Sequence, residues 1–200
     1  MLPAIFARGV VPGVSAEKCF TEAPGDVLPL LDRSSRLDML DYYHAGSTKT
    51  TVNTAEGGSF ITHESDYSIK YQIADGLTGQ IFVLNPMDKC PLIGIIETIA
   101  LPVADSNVKF YNCRWEPVDV FTEPSLNRWF DSSDGEAFKR LEEELPFMLA
   151  TMEYAPSEAE IVITNTTSGY YTPDDSPEEL KCLRDKLVMR WSGKKFKLKQ

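Results

Sequence analysis

Histidine is nearly missing from this chain. The two present, His44 and His63, are too few to build an imidazole-centred active site without help from distant residues. His44 falls where a helix is expected to end, a position that suits a cation against the negative end of the helix dipole. His63, between Thr62 and Glu64, reads as an ordinary exposed strand position. No metal is assigned to either, because the missing ligands would have to come from afar. The four cysteines contain no C-x-x-C pair, which excludes a thioredoxin-like motif and a zinc ribbon. There is no G-x-S-x-G elbow ahead of a helix, and Gly57-Gly58 is followed neither by a helix nor by G-K-[ST], so it reads as a hairpin turn and not as a phosphate cradle. Basic charge is also short: 20 Lys and Arg against 30 Asp and Glu leave a net charge of −10, which opposes gripping a phosphate backbone and removes nucleic acid as a partner class. No apolar run reaches the ~18 to 20 residues needed to cross a bilayer, so no transmembrane segment is expected.

What is present is a 200-residue chain, 42% hydrophobic, long enough for one domain that buries roughly 70% of its unfolded surface. Its charge is uneven. Residues 181–200 hold eight basic residues and one acidic, +7, leaving 12 basic and 29 acidic, −17, in the rest. Residues 1–16 end in Val14-Ser15-Ala16, the small-residue pattern of a signal-peptidase site, although Arg8 interrupts a short apolar run and no basic start precedes it. The segment is read as a signal-peptide remnant, with cleavage leaving Glu17 first and residues 17–200 forming a single domain. In an oxidising compartment Cys19, Cys90, Cys113 and Cys182 permit three disulfide pairings, and spacing chooses none of them; reduced, buried thiols are the other reading.

Helical spacing marks Val27, Leu30, Leu31, Leu37, Leu40 and Tyr43 as one face of a helix over Asp26 to Tyr43, with Ser34 and Ser35 interrupting it and Gly46 as its left-handed stop. From Thr48 to Val120 short runs of Val, Ile, Thr, Tyr and Phe are divided by Glu56-Gly57-Gly58, Asp75-Gly76, Asn85-Pro86 and the stretch from Pro102 to Asn107, the pattern of an antiparallel meander. Tyr67, Ile69, Tyr71 and Ile73 alternate with polar residues, so that strand has one wet face. Leu92 to Leu101 is almost wholly apolar and reads as a central strand covered on both sides. A capping box at Ser133-Asp134-Gly135-Glu136 opens a second helix that Pro146 ends. A hairpin follows around Pro156-Ser157-Glu158. A second capping box at Ser176-Pro177-Glu178-Glu179 opens a short helix through Lys186, and a closing hairpin turns at Ser192-Gly193. The expected fold is α+β: an antiparallel sheet of meander plus C-terminal hairpins, covered by an N-terminal helix and one or two further helices.

The carboxylates are assigned to caps and solvated faces: Asp134 and Glu136 at a helix start, Asp174 and Asp175 before the cap at Ser176, and Glu142-Glu143-Glu144 on a wet face. The piece from Asp131 to Glu136 has its glycine one place early for a calcium loop and no bidentate Glu at the twelfth position, so calcium is not assigned. Neither catalytic residues nor a cofactor site can be named. Tyr170 and Tyr171, in a loop between Gly169 and Thr172, are the pair that the core does not require, and they are the candidate partner surface; the plainer reading folds them back over a sheet end. The lysines of the closing strand protect a sheet edge, or else contact an anionic surface.

The run from Pro24 to Tyr43, containing Pro24-Gly25-Asp26-Val27-Leu28-Pro29-Leu30-Leu31-Asp32 and Arg36-Leu37-Asp38-Met39-Leu40-Asp41-Tyr42-Tyr43, together with Ser106 to Trp115 and the Trp191-Ser192-Gly193-Lys194 ending, resembles a family of exported Bacteroidales proteins catalogued as domain of unknown function 3256. The resemblance covers most of the chain from about residue 20. It implies export to the periplasm or cell surface, and it brings no assigned activity, cofactor or site residue. The expected function is a non-catalytic binding or interaction module of the envelope, its partner an envelope protein or ligand. A hydrolase using acidic residues and an inhibitor of another exported protein are the alternatives.

Overall fold

A computed structural model of the chain describes residues 13–100, 102–131, 133–145, 147–172 and 174–199. Most of the expected signal segment, the end of the expected strand at Leu101, and Pro146 lie outside the described residues. Two short helices come first, α1 (Ala16–Glu22) and α2 (Arg33–His44). Six strands follow: β1 (Thr51–Val52), β2 (Gly58–Ser65), β3 (Ser68–Ala74), β4 (Leu77–Leu84), β5 (Leu92–Ile99) and β6 (Asp105–Tyr111). Helices α3 (Leu126–Trp129) and α4 (Gly135–Glu144) then precede β7 (Ala150–Ala155), β8 (Glu160–Asn165), β9 (Lys186–Trp191) and β10 (Phe196–Leu198). The first six strands form one antiparallel meander in chain order, and the last four form a second antiparallel sheet ordered β10-β9-β8-β7. The α+β class stands as expected, with the C-terminal hairpins building a sheet of their own.

The middle of the first sheet is buried on both faces, which is why β5 reads as a nearly continuous apolar run. Ile81 and Val83 of β4 and Ile93 and Ile95 of β5 face α1 and α2, among Phe20, Leu31 and Met39. Phe82 and Leu84 of β4 and Ile96 of β5 face the other way, among Trp129, Leu141, Tyr154 and Ile161. Two glycines make room for rings on these faces. Tyr71 pairs across strands with Gly79 and Phe82 with Gly94, and a Cβ added at either glycine would lie within 2.6 Å of the facing ring. The rings stand on opposite sides of the sheet, one in each core.

Several element boundaries differ from expectation. The N-terminal helix begins at Arg33 and not at Asp26, because Asp32 accepts a hydrogen bond from the Ser35 amide at 2.7 Å and caps it there; Ser34 and Ser35 belong to its first turn. Pro24 to Leu31 is a turn segment, closed by Leu28 N–H to the Pro24 carbonyl and Leu31 N–H to the Leu28 carbonyl. Arg36 is 2% exposed, donating to the Phe20 carbonyl at 2.7 Å and the Asp32 carbonyl at 3.2 Å, so it ties α2 to the end of α1. Helix α1 was not foreseen. Its cap is Ser15 and its first residue, Ala16, is fully buried and donates to the Asp66 carbonyl, so residues assigned to a removable segment are packed into the first core. The cap of α4 is Asp134, one place beyond the expected Ser133, accepting from the Glu136 and Ala137 amides. The helix expected from Ser176 to Lys186 is only a 3-10 turn, Glu178–Cys182, without a side-chain cap. Tertiary pairing stops it: Arg184 N–H donates to the Trp129 carbonyl, Asp131 N–H donates to the Cys182 carbonyl, and Phe130 bridges Leu183.

Strand β7 is the edge of the second sheet, and side chains of the first sheet cover it. Its outward amides at Ala150, Met152 and Tyr154 donate in turn to Asp105 Oδ1 at 3.1 Å, Ser106 Oγ at 2.9 Å and Gln80 Oε1 at 2.9 Å. Gln80 also donates to the Tyr154 carbonyl, so its buried amide pairs with both the N–H and the C=O of one residue, as a neighbouring strand would. These bonds satisfy a row of groups that would otherwise template aggregation, and they fix where the second sheet stands on the first.

Candidate functional site

Tyr170 ends a 3-10 turn, Thr167–Tyr170, that follows β8, and hydrogen bonds pin that turn on both sides. Thr167 is 1% exposed; its hydroxyl donates to the Leu149 carbonyl and accepts from the Leu149 amide at 3.0 Å. Thr166 Oγ1 donates to the Ala104 carbonyl at 2.6 Å, and the Thr167 amide donates to Asn165 Oδ1. The two tyrosines then part company. Tyr171 is half-buried against the second core, as the plainer reading expected, whereas Tyr170 is 54% exposed. Phe147, 45% exposed, meets Tyr170 edge to face with centroids 5.4 Å apart, and Tyr170 meets Tyr171 in the same way at 5.4 Å. Sequence reasoning missed Phe147, whose position beside Tyr170 depends on a contact 23 residues away in the chain. The arrangement is a firmly held aromatic face of three rings, two of them in water.

A second concavity lies between the outer face of the second sheet and the uncovered part of the first, a cleft of about 510 Å³. Thr62, Lys70, Thr78 and Thr98 come from the first sheet, and Thr151, Glu153, Thr164 and Lys186 from the second. Lys70 and Glu153 form an ion pair across it. No single strand signals this cleft in the sequence, because its walls come from seven strands of two sheets.

The third concavity, about 450 Å³, lies between α2 and β2 and is lined by Met39, Tyr42, Tyr43, Phe60 and Ile61, with Lys49 above the Tyr42 ring at 5.9 Å. His44 stands at the end of α2, as expected, and its Nε2 pairs with Glu64 Oε2 at 2.7 Å, half-exposed and outside the lining of this cleft. His63 is exposed on β2. A histidine and a carboxylate therefore meet, but at the surface and not in a pocket where a substrate could be desolvated beside them.

The remaining candidates take structural positions. Asp131 pairs with Arg184 at 2.6 Å and Asp134 caps α4, so the Asp131–Glu136 piece is committed to a helix start. Among the described residues, no group of three His, Cys, Asp or Glu side chains is placed to hold a metal ion. Cys90 and Cys113 form a disulfide that joins the β4–β5 loop to the turn after β6, while Cys19 is buried and Cys182 half-buried, both as free thiols. Glu160, 6% exposed, accepts from Arg190 at 2.6 Å and Lys199 at 2.9 Å, and these cations hold its carboxyl below the usual range. The C-terminal lysines are thus divided: Lys199 serves Glu160, and Lys197 stands exposed on the edge strand β10.

Burial pushes the Tyr154 phenol from its ordinary 10.0 up to about 12, and it pushes Tyr71 upward too, with the Glu97 carboxylate adding to the effect. Burial, with Glu22 adding, raises the Cys19 thiol from 9.0 to about 12. The folded chain keeps these protons at a pH where the unfolded chain releases them, so their contribution to stability is whole below about pH 9 and is lost progressively as pH rises toward 12. Urea midpoints measured against pH are expected to fall on the alkaline side, with a shallower fall for Tyr154→Phe. A midpoint that stays level through about pH 11 would contradict the burial of these groups.

The family model described as "Protein of unknown function (DUF3256)" matches residues 11–196, nearly the whole chain. The chain belongs to this family. No curated protein matches it. Among solved structures, one titled "Structure of a domain of an uncharacterized protein from Porphyromonas gingivalis W83" superposes with a TM-score of 0.75 over 92% of this chain and 98% of that one, at 20% identity. At that identity the likeness is one of fold. The DUF3256 chain therefore shares with the Porphyromonas domain an architecture whose α+β character follows from its own hydrophobic pattern. No helix among the described residues is long and apolar enough to cross a membrane.

Proposed function

We propose that this DUF3256 protein is an exported, non-catalytic binding module of the cell envelope that meets its partner through Phe147, Tyr170 and Tyr171. The observation that carries the reading is the aromatic face: two large rings in water, Tyr170, 54% exposed, on a turn held by hydrogen bonds from Thr166 and Thr167, and Phe147, 45% exposed, on the segment before β7 that Thr167 ties to that turn through Leu149. Exposed aromatics on a preorganised support lose little conformational freedom when a partner covers them, which is what contact anchors require. Export is supported by the Cys90–Cys113 disulfide, which persists in an oxidising compartment and is rare in a reducing one. Any processing cut is placed ahead of Val14, because Val14 N–H donates to the Pro86 carbonyl and Ser15 caps α1; the module then includes both residues along with 17–200.

Fractionation of bacteria producing the chain tests both halves of this reading. The protein is expected in the periplasmic and envelope fractions with Cys90 and Cys113 oxidised. A Phe147→Ser/Tyr170→Ser double variant is expected to shift from the envelope-bound to the free pool by about tenfold or more, each aromatic anchor contributing ~1 kcal/mol or more. Its thermal unfolding should change little, since both rings are exposed. Retention in the cytosol with reduced cysteines would defeat export, and unchanged envelope association would defeat the aromatic face.

A further inference from the structure

The cleft between the two sheets differs chemically from the aromatic face. Its walls mix apolar side chains such as Ile96, Met152 and Val162 with hydroxyls on both sides: Thr62, Thr78 and Thr98 on the first sheet, Thr151 and Thr164 on the second. Threonine is common in strands for steric reasons, so hydroxyls alone say little. Placement says more. The five converge on one volume of about 510 Å³, within the range of small-ligand sites, and a hydroxyl can both donate and accept, although that of Thr98 is already shared with Ser106 Oγ at 2.7 Å.

Charge gives the ligand a sign. The cleft holds two ammonium groups, Lys70 and Lys186, and one carboxylate, Glu153, in a protein of net charge −10. Lys70 is matched by Glu153. Lys186, exposed at the start of β9 and opposite Thr164, has no ion-pair partner among the described residues. One cation, from the basic stretch 181–200, is left over inside a concavity with hydroxyls on both walls. The side chains of Asp105, Ser106 and Gln80 on the β7 amides hold the walls at their angle, so the site exists before a ligand arrives.

We propose that this cleft binds an acidic saccharide, a hydroxyl-rich ring bearing a carboxylate, with Lys186 taking the carboxylate and the threonines taking ring hydroxyls. A neutral saccharide lacks the group that Lys186 needs. A simple anion such as acetate lacks the hydroxyls that would engage both walls, and its contact with an exposed lysine is screened by salt.

Amide shift titrations with a tetramer of glucuronic acid, the matching neutral tetramer of glucose, and acetate test this. The acidic tetramer is expected to give saturable shifts at Thr62, Thr78 and Thr164, and the neutral tetramer and acetate to bind at least about tenfold more weakly, the worth of one charge-assisted contact. Lys186→Ala, at an exposed position that folding does not need, should weaken the acidic tetramer by about tenfold and leave the neutral one unchanged. Phe147→Ser/Tyr170→Ser should leave cleft binding intact, so the two sites stand or fall separately. The proposal is overturned by equal affinity for the acidic and neutral tetramers, by shifts that gather around Tyr170 instead, or by no saturable shift with the acidic tetramer.

Discussion

A Gly94→Ala chain is expected to be among the least stable single variants of this protein, although it adds only one methyl group. An ideal Cβ at Gly94 would lie 2.1 Å from Phe82 Cζ and 2.5 and 2.7 Å from the two Cε atoms, well inside contact distance. The ring cannot retreat. Phe82 is fully buried, stacked on Tyr154 with centroids 3.9 Å apart and planes 13° from parallel, and edge-on to Phe110 at 5.9 Å. Moving it means moving Tyr154, whose backbone is tied to the first sheet through Gln80. Overpacking a tight core costs ~1 to 3 kcal/mol, and this case belongs at or beyond the upper end because both sheets must shift. That is a large share of the ~5 to 15 kcal/mol by which a domain is stable. Urea denaturation of Gly94→Ala beside Gly135→Ala measures the difference. Gly135 has nothing within 4 Å of its Cβ position and lies in a helix, so alanine there should be neutral or gain ~0.5 to 1 kcal/mol. Replacing Phe82 by Leu in the Gly94→Ala background should recover part of the loss. A Gly94→Ala chain as stable as wild type would mean that the ring does not lie across Gly94.

Part of this was legible in the residues and part could not be. The meander was, because β5, covered on both faces, leaves a nearly continuous apolar run, and the half-wet β3 leaves an alternation. Turn residues placed the hairpins closely: Gly76 and Gly193 take left-handed φ values of 72° and 88° where the chain reverses. Helix α1 was not legible. Seven residues with one buried face carry too little periodicity, and the small residues ahead of it look like a cleavage site. The helix expected from Ser176 stops short because a capping box and a proline at the first position describe how a helix could start, while backbone bonds to Trp129 and Asp131 decide that this one does not continue. Of the candidate face, Tyr170 was found by elimination. Phe147 and the Lys70, Glu153 and Lys186 of the inter-sheet cleft needed the second sheet to be placed, and that placement rests on three side chains of the first sheet, Gln80, Asp105 and Ser106, which look like ordinary polar strand residues. Pairing between distant segments is what one sequence does not display.

Ile95→Asp is expected to cost several kcal/mol, while Lys197→Asp should stay within about 0.5 kcal/mol of wild type. Both replacements put the same side chain into a strand, so β propensity does not separate them; burial does. Ile95 is 3% exposed on β5, with Ile81 beside it on β4 and the α1–α2 core above. The register neighbour of such an aspartate on β6 is Lys109, whose exposed ammonium would have to leave water to reach the apolar layer, and the buried Arg36 already donates to the Phe20 and Asp32 carbonyls. The carboxyl must either stay charged in an apolar layer or take up a proton at neutral pH, and both routes draw on the folding free energy. Lys197 lies on the edge strand β10, exposed, opposite Arg190, where an aspartate stays in water beside a cation that already serves Glu160. Ile95→Asn, the neutral isostere of the aspartate variant, loses the same apolar volume, so the excess in Ile95→Asp measures the charge itself. That excess should shrink as pH falls, because a protonated aspartate is cheaper to bury and the unfolded chain protonates its own only near pH ~4. Equal losses for Ile95→Asp and Lys197→Asp would mean that β5 is not covered on its helix face, and the two-core arrangement that holds the second sheet in place would fail with it.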